Sequence, residues 1–101
     1  SLYLSDNQSI VHELNRMDGS RGWSQEQLMN RNLTRPAYYL GELLVGDFEG
    51  YVHVIDGVNG EIINRIRTGG EHLYDAPVVV GDVFYTYNFD GQIMAVRYTK
   101  N

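Results

Sequence analysis

Five acidic residues are the first candidates for chemistry in this sequence, because carboxylates can bind calcium or act as general acids and bases. They are Asp6, Asp47, Glu49, Asp56 and Asp90. However, the stretches DFEG and NFDG, which begin at Asp47 and Asn88, stand 41 residues apart. Asp, Asn and Gly favour tight turns, and a position that recurs along a chain serves a fold more readily than a single active site. We therefore interpret these residues as turn formers.

The three histidines could suggest a metal site, but their spacing argues against a shared ion. His12 and His53 are 41 residues apart, Met94 follows at the same step, and His72 stands alone. Matched positions in successive stacked sheets lie about 10 Å or more apart, too far for two ligands of one zinc ion at about 2 Å each. We predict packing or surface roles for all three histidines.

Trp23 could stack on a cofactor, but Asn64 takes its place 41 residues later. An indole that packs between sheets and donates its N–H to a carbonyl is the favoured interpretation. We find no Ser/His/Asp triad, phosphate-binding loop or basic and aromatic stripe. We therefore assign no catalytic, cofactor-binding or metal-binding residue and expect no cofactor, and the partner-binding residues stay unassigned.

The composition argues against several kinds of partner. With 13 acidic and 8 basic residues the net charge is −5, which disfavours nucleic acids and anionic lipid surfaces. The absence of cysteine excludes disulfides and thiolate chemistry. No targeting signal is recognisable, and no apolar run approaches the roughly 20 residues of a membrane-spanning helix.

The interval of 41 residues relates many other landmarks. It joins Leu2 to Leu43 and Leu43 to Phe84, and also the pairs Pro36 and Pro77, Gly50 and Gly91, Gly19 and Gly60. Gly41 and Gly81 are 40 apart, which predicts one extra residue, as a bulge or a longer turn, between Gly81 and Gly91. A fixed period of this kind is typical of a structural repeat. The chain holds about two and a half repeats, so we expect a piece of a longer array.

The complete repeat contains four apolar runs, PAYYL, LLVGDF, YVHVI and EIINRI, each five or six residues long. These are strand lengths, and the glycines between them predict hairpins, most strongly at Asn59-Gly60. A four-stranded antiparallel meander results. Neither face of YVHVI is polar, so we expect this strand to be covered on both sides. Stacked four-stranded sheets with a period near 41 predict a β-propeller.

We expect the fold class to be all-β, with parts of three consecutive blades of a β-propeller. Residues 1–24 would supply strands two to four of one blade, residues 36–70 a complete blade, and residues 71–101 strands one to three of the next. The linker 25–35 predicts a short helix or a helical turn, because Ser24 and Gln27 fit a capping box and Leu28 and Met29 could face the sheet. Ten strands are thus expected.

Three stretches of this chain carry a resemblance to a known family. They are LYLSDNQSIVHEL, GWSQEQLMNRNLTRP and LLVGDFEGYVHVIDGVNGE. Their order and spacing resemble the carboxy-terminal third of the BamB family of outer-membrane protein assembly factors, which are quinoprotein-like propellers. The resemblance covers the chain from Leu2 to about Tyr98.

The resemblance implies an eight-bladed lipoprotein on the periplasmic face of the Gram-negative outer membrane, attached by a lipid anchor outside this sequence. It implies a non-enzymatic scaffold that binds the periplasmic domains of BamA, mainly through blades outside this sequence, with unfolded outer-membrane proteins as a further class of partner. Two alternatives are a quinone-dependent periplasmic dehydrogenase and a generic protein-interaction propeller. Exposed blade faces and strand edges also predict that this piece self-associates.

Overall fold

The computed structural model describes residues 1–99, which contain ten β-strands in three antiparallel sheets. The first blade contains β1 (Leu2–Ser5), β2 (Val11–Leu14) and β3 (Arg21–Gln25). The second blade contains β4 (Ala37–Tyr39), β5 (Glu42–Gly46), β6 (Tyr51–Asp56) and β7 (Ile62–Arg67). The third blade contains β8 (Leu73–Val80), β9 (Val83–Asn88) and β10 (Ile93–Arg97). Consecutive strands are neighbours in each sheet, so every blade is a meander.

The first hairpins of the second and third blades have turns of equal length. The turn is Leu40-Gly41 in the second blade and Gly81-Asp82 in the third, and directly paired residues enclose each turn. The extra residue expected between Gly81 and Gly91 does not exist in this hairpin, so that prediction was wrong. In the third blade the glycine is Gly81, which occupies the first turn position with a φ of +62°, whereas Gly41 occupies the second position in the second blade. Equivalent positions in the two hairpins are therefore still 41 residues apart.

Two apolar cores lie between the three blades. The core between the first and second blades consists of Val11, Leu28, Leu43, Val45 and Ile55. The core between the second and third blades consists of Leu44, Val52, Val54, Leu73 and Phe84. Neighbouring residues of β5 and β6 point to opposite cores because side chains alternate along a strand. The two central strands of the second blade are therefore buried on both faces, as the YVHVI run predicts for β6.

The linker after the first blade contains consecutive turns over residues 27–30. No helix forms there, but the alternative of a helical turn is confirmed, because the N–H groups of Met29 and Arg31 donate to the carbonyls of Glu26 and Leu28 at 3.2 and 3.3 Å. Ser24 still belongs to β3, and the N–H of Gln27 donates to Gln25 Oε1 at 2.8 Å, so no capping box forms. Leu28 is buried in the first core while Met29 stays exposed. The buried Leu28 anchors this segment together with backbone hydrogen bonds, in which the N–H of Asn30 donates to the carbonyl of Gln8 at 3.2 Å and the carbonyl of Arg31 accepts the N–H of Phe48 at 3.0 Å.

The outer faces of the first and third blades present apolar side chains to solvent. Leu2 and Leu4 are exposed on the first blade, and Tyr85 and Ile93 on the third. Ile93 is 76% exposed, although its equivalent Val52 is fully buried between blades. Within residues 1–99, β10 pairs with β9 alone. The fold is therefore a partial β-propeller whose sheets do not close into a ring.

No helix among residues 1–99 has the length and apolar character needed to cross a membrane.

Candidate functional site

Each of the first two blades has an aspartate and a histidine joined across one hairpin turn, which is the β1–β2 turn in the first blade and the β5–β6 turn in the second. In the second blade, Asp47 Oδ1 accepts the N–H groups of Glu49 and Tyr51 at 2.9 and 3.0 Å. Asp47 Oδ2 lies 2.7 Å from His53 Nε2, and both side chains are buried. The turn role predicted for Asp47 is confirmed. The buried His53 connects strand β6 to the turn that precedes it.

The first and third blades show which of these hydrogen bonds occur in every repeat. In the first blade, Asp6 accepts two backbone N–H groups and lies 2.8 Å from His12 Nε2. In the third blade, Asn88 accepts two backbone N–H groups and donates to Gln92 Oε1 at 2.8 Å. Met94 replaces the histidine there. The turn is common to all three blades, whereas the histidine is a variable support.

The hydrogen bonds lower the pKa of both carboxyls. For Asp6 the largest cause is the hydrogen bond with His12, followed by backbone N–H groups. For Asp47 burial is the largest influence and raises the pKa, but the hydrogen bonds from His53 and two backbone N–H groups together bring the pKa below its ordinary value. Both groups are therefore held as carboxylates, the form that accepts hydrogen bonds most strongly.

The first blade extends this pair into a chain of three polar side chains. Ser24 Oγ lies 2.9 Å from His12 Nδ1, while His12 Nε2 contacts Asp6. The sequence analysis recognised no Ser/His/Asp arrangement, because the three residues belong to different strands and a turn. Arg65 occupies the place of Ser24 in the second blade. Among residues 1–99, no three His, Asp or Glu side chains lie close enough to hold a metal ion.

Trp23 packs across the boundary between the first two blades. Its indole N–H donates to the carbonyl of Gly57 at 3.0 Å, and its ring covers Gly60 in the same turn. Tyr3 stacks on the indole with ring centroids 6.0 Å apart. The predicted packing role of Trp23 is confirmed, and the indole is occupied by protein contacts.

An open cleft of about 600 Å³ lies on the side of the molecule where the blade linkers run. We call it the turn-side cleft. Its walls come from the β1–β2 turn, the linker after the first blade, the β5–β6 and β9–β10 turns, and the start of β8. The lining residues are Asp6, Asn7, Ser9, Asn32, Leu33, Thr34, Arg35, Phe48, Leu73, Tyr74, Asp75 and Phe89.

One wall of the cleft is a row of aromatic rings. Phe48 lies 4.3 Å from His72 and 6.3 Å from Phe89, measured between ring centroids. Phe89 contacts Tyr74 edge to face at 4.6 Å, and Tyr74 contacts Tyr87 at 5.4 Å. Phe48 and Phe89 occupy the same position of two turns 41 residues apart. Aromatic side chains at the tips of exposed turns are available for contact with another molecule.

A bidentate ion pair beside the cleft joins the linker before the second blade to the first strand of the third. Arg35 Nε and Nη2 donate to the two carboxylate oxygens of Asp75 at 2.8 and 3.0 Å. Asp75 has a φ of +66° and lies where the pairing of β8 with β9 shifts register. The N–H of Ala76 is the largest cause of a lowered pKa for Asp75, followed by Arg35. The cleft is thus bordered by a fixed carboxylate and its guanidinium.

This cleft was not predicted from the sequence. Glu49 and Asp90 were considered as acids, but Phe48 and Phe89, which directly precede them, were not. The repeated Asp/Asn-Phe-acid-Gly pattern was the available signal, because a turn former does not require an exposed phenylalanine. Asp56, the remaining acidic candidate, accepts the N–H of Val58 at 2.8 Å in a turn at the other end of the blade.

Comparison with known proteins identifies the relatives of this chain. No family model matches it. It is 41% identical over 96 residues to the outer membrane protein assembly factor BamB of Shewanella oneidensis, and 36% identical over 100 residues to that of Alkalilimnicola ehrlichii. The crystal structure of BamB from Moraxella catarrhalis superimposes with a TM-score of 0.83 at 30% identity and covers 95% of this chain. The chain belongs to the BamB family.

The match to BamB proteins extends over nearly all of this chain but over only part of theirs. The chain spans 24% of the Shewanella protein, 26% of the Alkalilimnicola protein and 28% of the Moraxella chain. The resemblance to the carboxy-terminal part of BamB drawn from sequence is confirmed. A quinohemoprotein alcohol dehydrogenase from Pseudomonas putida HK5 also superimposes, with a TM-score of 0.75 at 21% identity, over 94% of this chain and 17% of its own. At that identity the likeness shows a shared fold.

Proposed function

We propose that this protein is a non-enzymatic scaffold subunit of the outer-membrane β-barrel assembly machinery, and that it acts at the periplasmic face of the Gram-negative outer membrane. Its partners would be the periplasmic domains of BamA and segments of unfolded outer-membrane proteins. The observation that carries the proposal is the 41% identity to BamB of Shewanella oneidensis across 95% of this chain. An eight-bladed ring attached by a lipid anchor belongs to the same proposal.

The geometry of the polar side chains supports a binding role. Asp6, Asp47 and Asn88 are occupied by the backbone N–H groups of their own turns. His53 and Trp23 are likewise engaged by protein groups, whereas the exposed rings of the turn-side cleft have free faces. The alternative drawn from sequence, a quinone-dependent dehydrogenase, shares its fold with this chain, and a protein of the assembly machinery is favoured by the higher identity to BamB.

Co-purification tests the proposal. The protein is expressed with an affinity tag from its complete gene in a Gram-negative cell, and the membranes are solubilised in a mild detergent. We expect BamA to co-purify, and we expect deletion of the gene to reduce folded outer-membrane β-barrel proteins. An unrelated periplasmic lipoprotein with the same tag is the matched control. Absence of BamA together with unchanged barrel levels would contradict the proposal.

A further inference from the structure

The turn-side cleft combines exposed aromatic rings with a border of carboxylates. We propose that it binds an extended polypeptide segment in which a lysine or arginine flanks an aromatic or large apolar side chain. The inference concerns the chemistry of the site and does not depend on which machinery the protein serves. It assigns a partner-contacting surface to the second and third blades.

The apolar component is the row of rings that begins at Phe48. Phe48, Tyr74 and Phe89 are 39, 46 and 64% exposed although they contact one another. Such rings lose water-exposed apolar area when another aromatic or apolar side chain packs against them. The cleft volume of about 600 Å³ lies in the range of sites that enclose a few side chains.

The rings are held in place before any partner arrives. The N–H of Phe48 donates to the carbonyl of Arg31 at 3.0 Å, and the carbonyl of Phe48 accepts the N–H of His72 at 2.8 Å. The carbonyl of His72 in turn accepts the N–H of Phe89 at 3.1 Å. These backbone hydrogen bonds connect both turn tips to the linkers of two blades. A surface organised in this way loses little conformational entropy on binding.

The backbone of the cleft also adopts uncommon conformations. Asn32, His72 and Asp75 all have positive φ, of 53°, 59° and 66°. Non-glycine residues in this region are held by their surroundings and occur often at binding sites. The N–H and the carbonyl of His72 form the backbone hydrogen bonds that connect Phe48 to Phe89. The uncommon backbone conformation of His72 therefore belongs to the structure that positions these two rings.

The charged component favours a cation. Glu49 and Asp90 have side chains 70 and 68% exposed, and Glu71 is exposed beside the same turn. Arg31 contacts Asp47 and Glu49, Arg35 contacts Asp75, and His72 Nδ1 lies 4.0 Å from Asp90 Oδ2, so these basic groups already have acidic partners. Around the cleft the carboxylates still outnumber the guanidinium groups of Arg31 and Arg35; they are those of Asp47, Glu49, Glu71, Asp75 and Asp90. Aromatic faces attract cations as well.

The same protein shows how an aromatic ring accommodates guanidinium groups. Arg65 and Arg67 of β7 lie 4.6 and 5.0 Å from the ring centroid of Tyr51. Arg67 also donates to the Tyr51 hydroxyl at 2.8 Å. The turn-side cleft contains comparable rings. Within residues 1–99, no arginine of the protein packs its guanidinium group over them. A basic side chain of a partner can occupy that position.

A peptide titration followed by ¹H–¹⁵N NMR tests the proposal. The probe is the blocked heptapeptide Gly-Lys-Phe-Arg-Phe-Lys-Gly, and two control peptides replace either its basic residues by glutamate or its phenylalanines by alanine. We expect the basic aromatic peptide to shift the amide signals of Phe48, His72 and Phe89, and both controls to bind about tenfold more weakly or not at all. Raising the salt concentration should weaken binding.

Matched variants locate the site. The double variant Phe48→Ala/Phe89→Ala should weaken binding about tenfold, whereas Val58→Ala, which alters a residue 84% exposed in the turn at the opposite end of the second blade, should leave it unchanged. Glu49→Gln/Asp90→Asn should reduce affinity and its salt dependence, and Glu61→Gln, in that opposite turn, is the charge control. Preserved signal dispersion shows that each variant is folded.

Three results would overturn the proposal. They are equal binding of the acidic peptide, no effect of the Phe48→Ala/Phe89→Ala change on a folded protein, and the absence of any shift at the cleft with the basic peptide. Concentration-dependent shifts of the Phe48 and Phe89 amides without peptide would identify a second copy of the chain as the occupant and would also overturn it. None of these results depends on co-purification with BamA, so the two proposals fail separately.

Discussion

Replacing Gly60 with alanine tests whether the first blade stacks on the second. A β-carbon at Gly60 would lie 2.5 Å from two ring carbons of Trp23. The indole cannot move away freely, because its N–H donates to the carbonyl of Gly57 and Tyr3 stacks on its ring. The added methyl group must therefore displace the ring from the turn or distort the turn itself.

Gly19 provides a matched control from the preceding repeat. It occupies the equivalent turn 41 residues earlier, its φ is +73° against +79° for Gly60, and nothing lies within 4 Å of its added β-carbon. A left-handed conformation costs an alanine about 1–2 kcal/mol, and overpacking adds about 1–3 kcal/mol. Gly19→Ala should therefore lower the free energy of unfolding by about 1–2 kcal/mol, and Gly60→Ala by about 2–5 kcal/mol.

Urea and thermal unfolding measure the two losses. One kcal/mol shifts the Tm of a domain of this size by about 4–8 °C, so Gly60→Ala should melt at least about 4 °C below Gly19→Ala. Trp23 is the single tryptophan, and its emission should move to longer wavelength only in Gly60→Ala. Equal losses of stability with unchanged emission would show that the indole does not cover this turn, and the stacking of the two blades would be refuted.

Three further predictions concern the turns, cores and faces of the blades. Thr86→Val should raise the free energy of unfolding by about 1 kcal/mol, because the buried Thr86 hydroxyl has no hydrogen-bond partner in the described chain and Val45 fills the equivalent place; a lower stability in urea would contradict this. Asp47→Asn should make stability less dependent on pH below about 4. The pKa of Asp47 is lower in the folded protein, so its contribution is complete above the unfolded value of about 3.9 and is lost as the pH falls through the folded value; an unchanged acid slope would refute this assignment. The 101-residue chain on its own should self-associate through the exposed face of its third blade, and Ile93→Lys should reduce this association in sedimentation experiments; a monomer of the unaltered chain at high concentration would contradict it.

The spacing of turn residues was sufficient to predict the strands. Asp47 and Asn88 mark equivalent hairpins, and the repeat of such turns predicted ten strands, as the structure has them. The two-sided burial of β6 was predicted from the apolar residues on both faces of YVHVI and is also found. The prediction of the strands succeeded because hairpin turns require particular residue types, so a repeat of turns is visible in one sequence. The insertion that was wrongly predicted after Gly81 shows the limit of reading a repeat from its turn residues. Glycine can occupy either position of a two-residue turn, so a change in its position does not mean that a residue was inserted.

The remaining features depend on contacts between blades. The helix predicted near Leu28 was wrong, because Gln25 Nε2 donates to the carbonyl of Gly60 at 2.7 Å and keeps the chain extended to the end of β3. Gly60 lies 35 residues from Gln25, so this contact cannot be recognised from the residues near Gln25. The turn-side cleft was missed for the same reason, because Phe48 and His72 come together only when two blades are stacked.

Photo-cross-linking in living Gram-negative cells tests whether this protein works through protein contacts at its turn-side cleft. The full-length protein carries p-benzoyl-L-phenylalanine in place of Phe89, and in a control in place of Val58. We predict cross-links from the first site to BamA or to an outer-membrane β-barrel protein, identified by mass spectrometry, at a basic and aromatic segment, with none from the second. Equal yields from both sites, or no polypeptide adduct at the first, would contradict it.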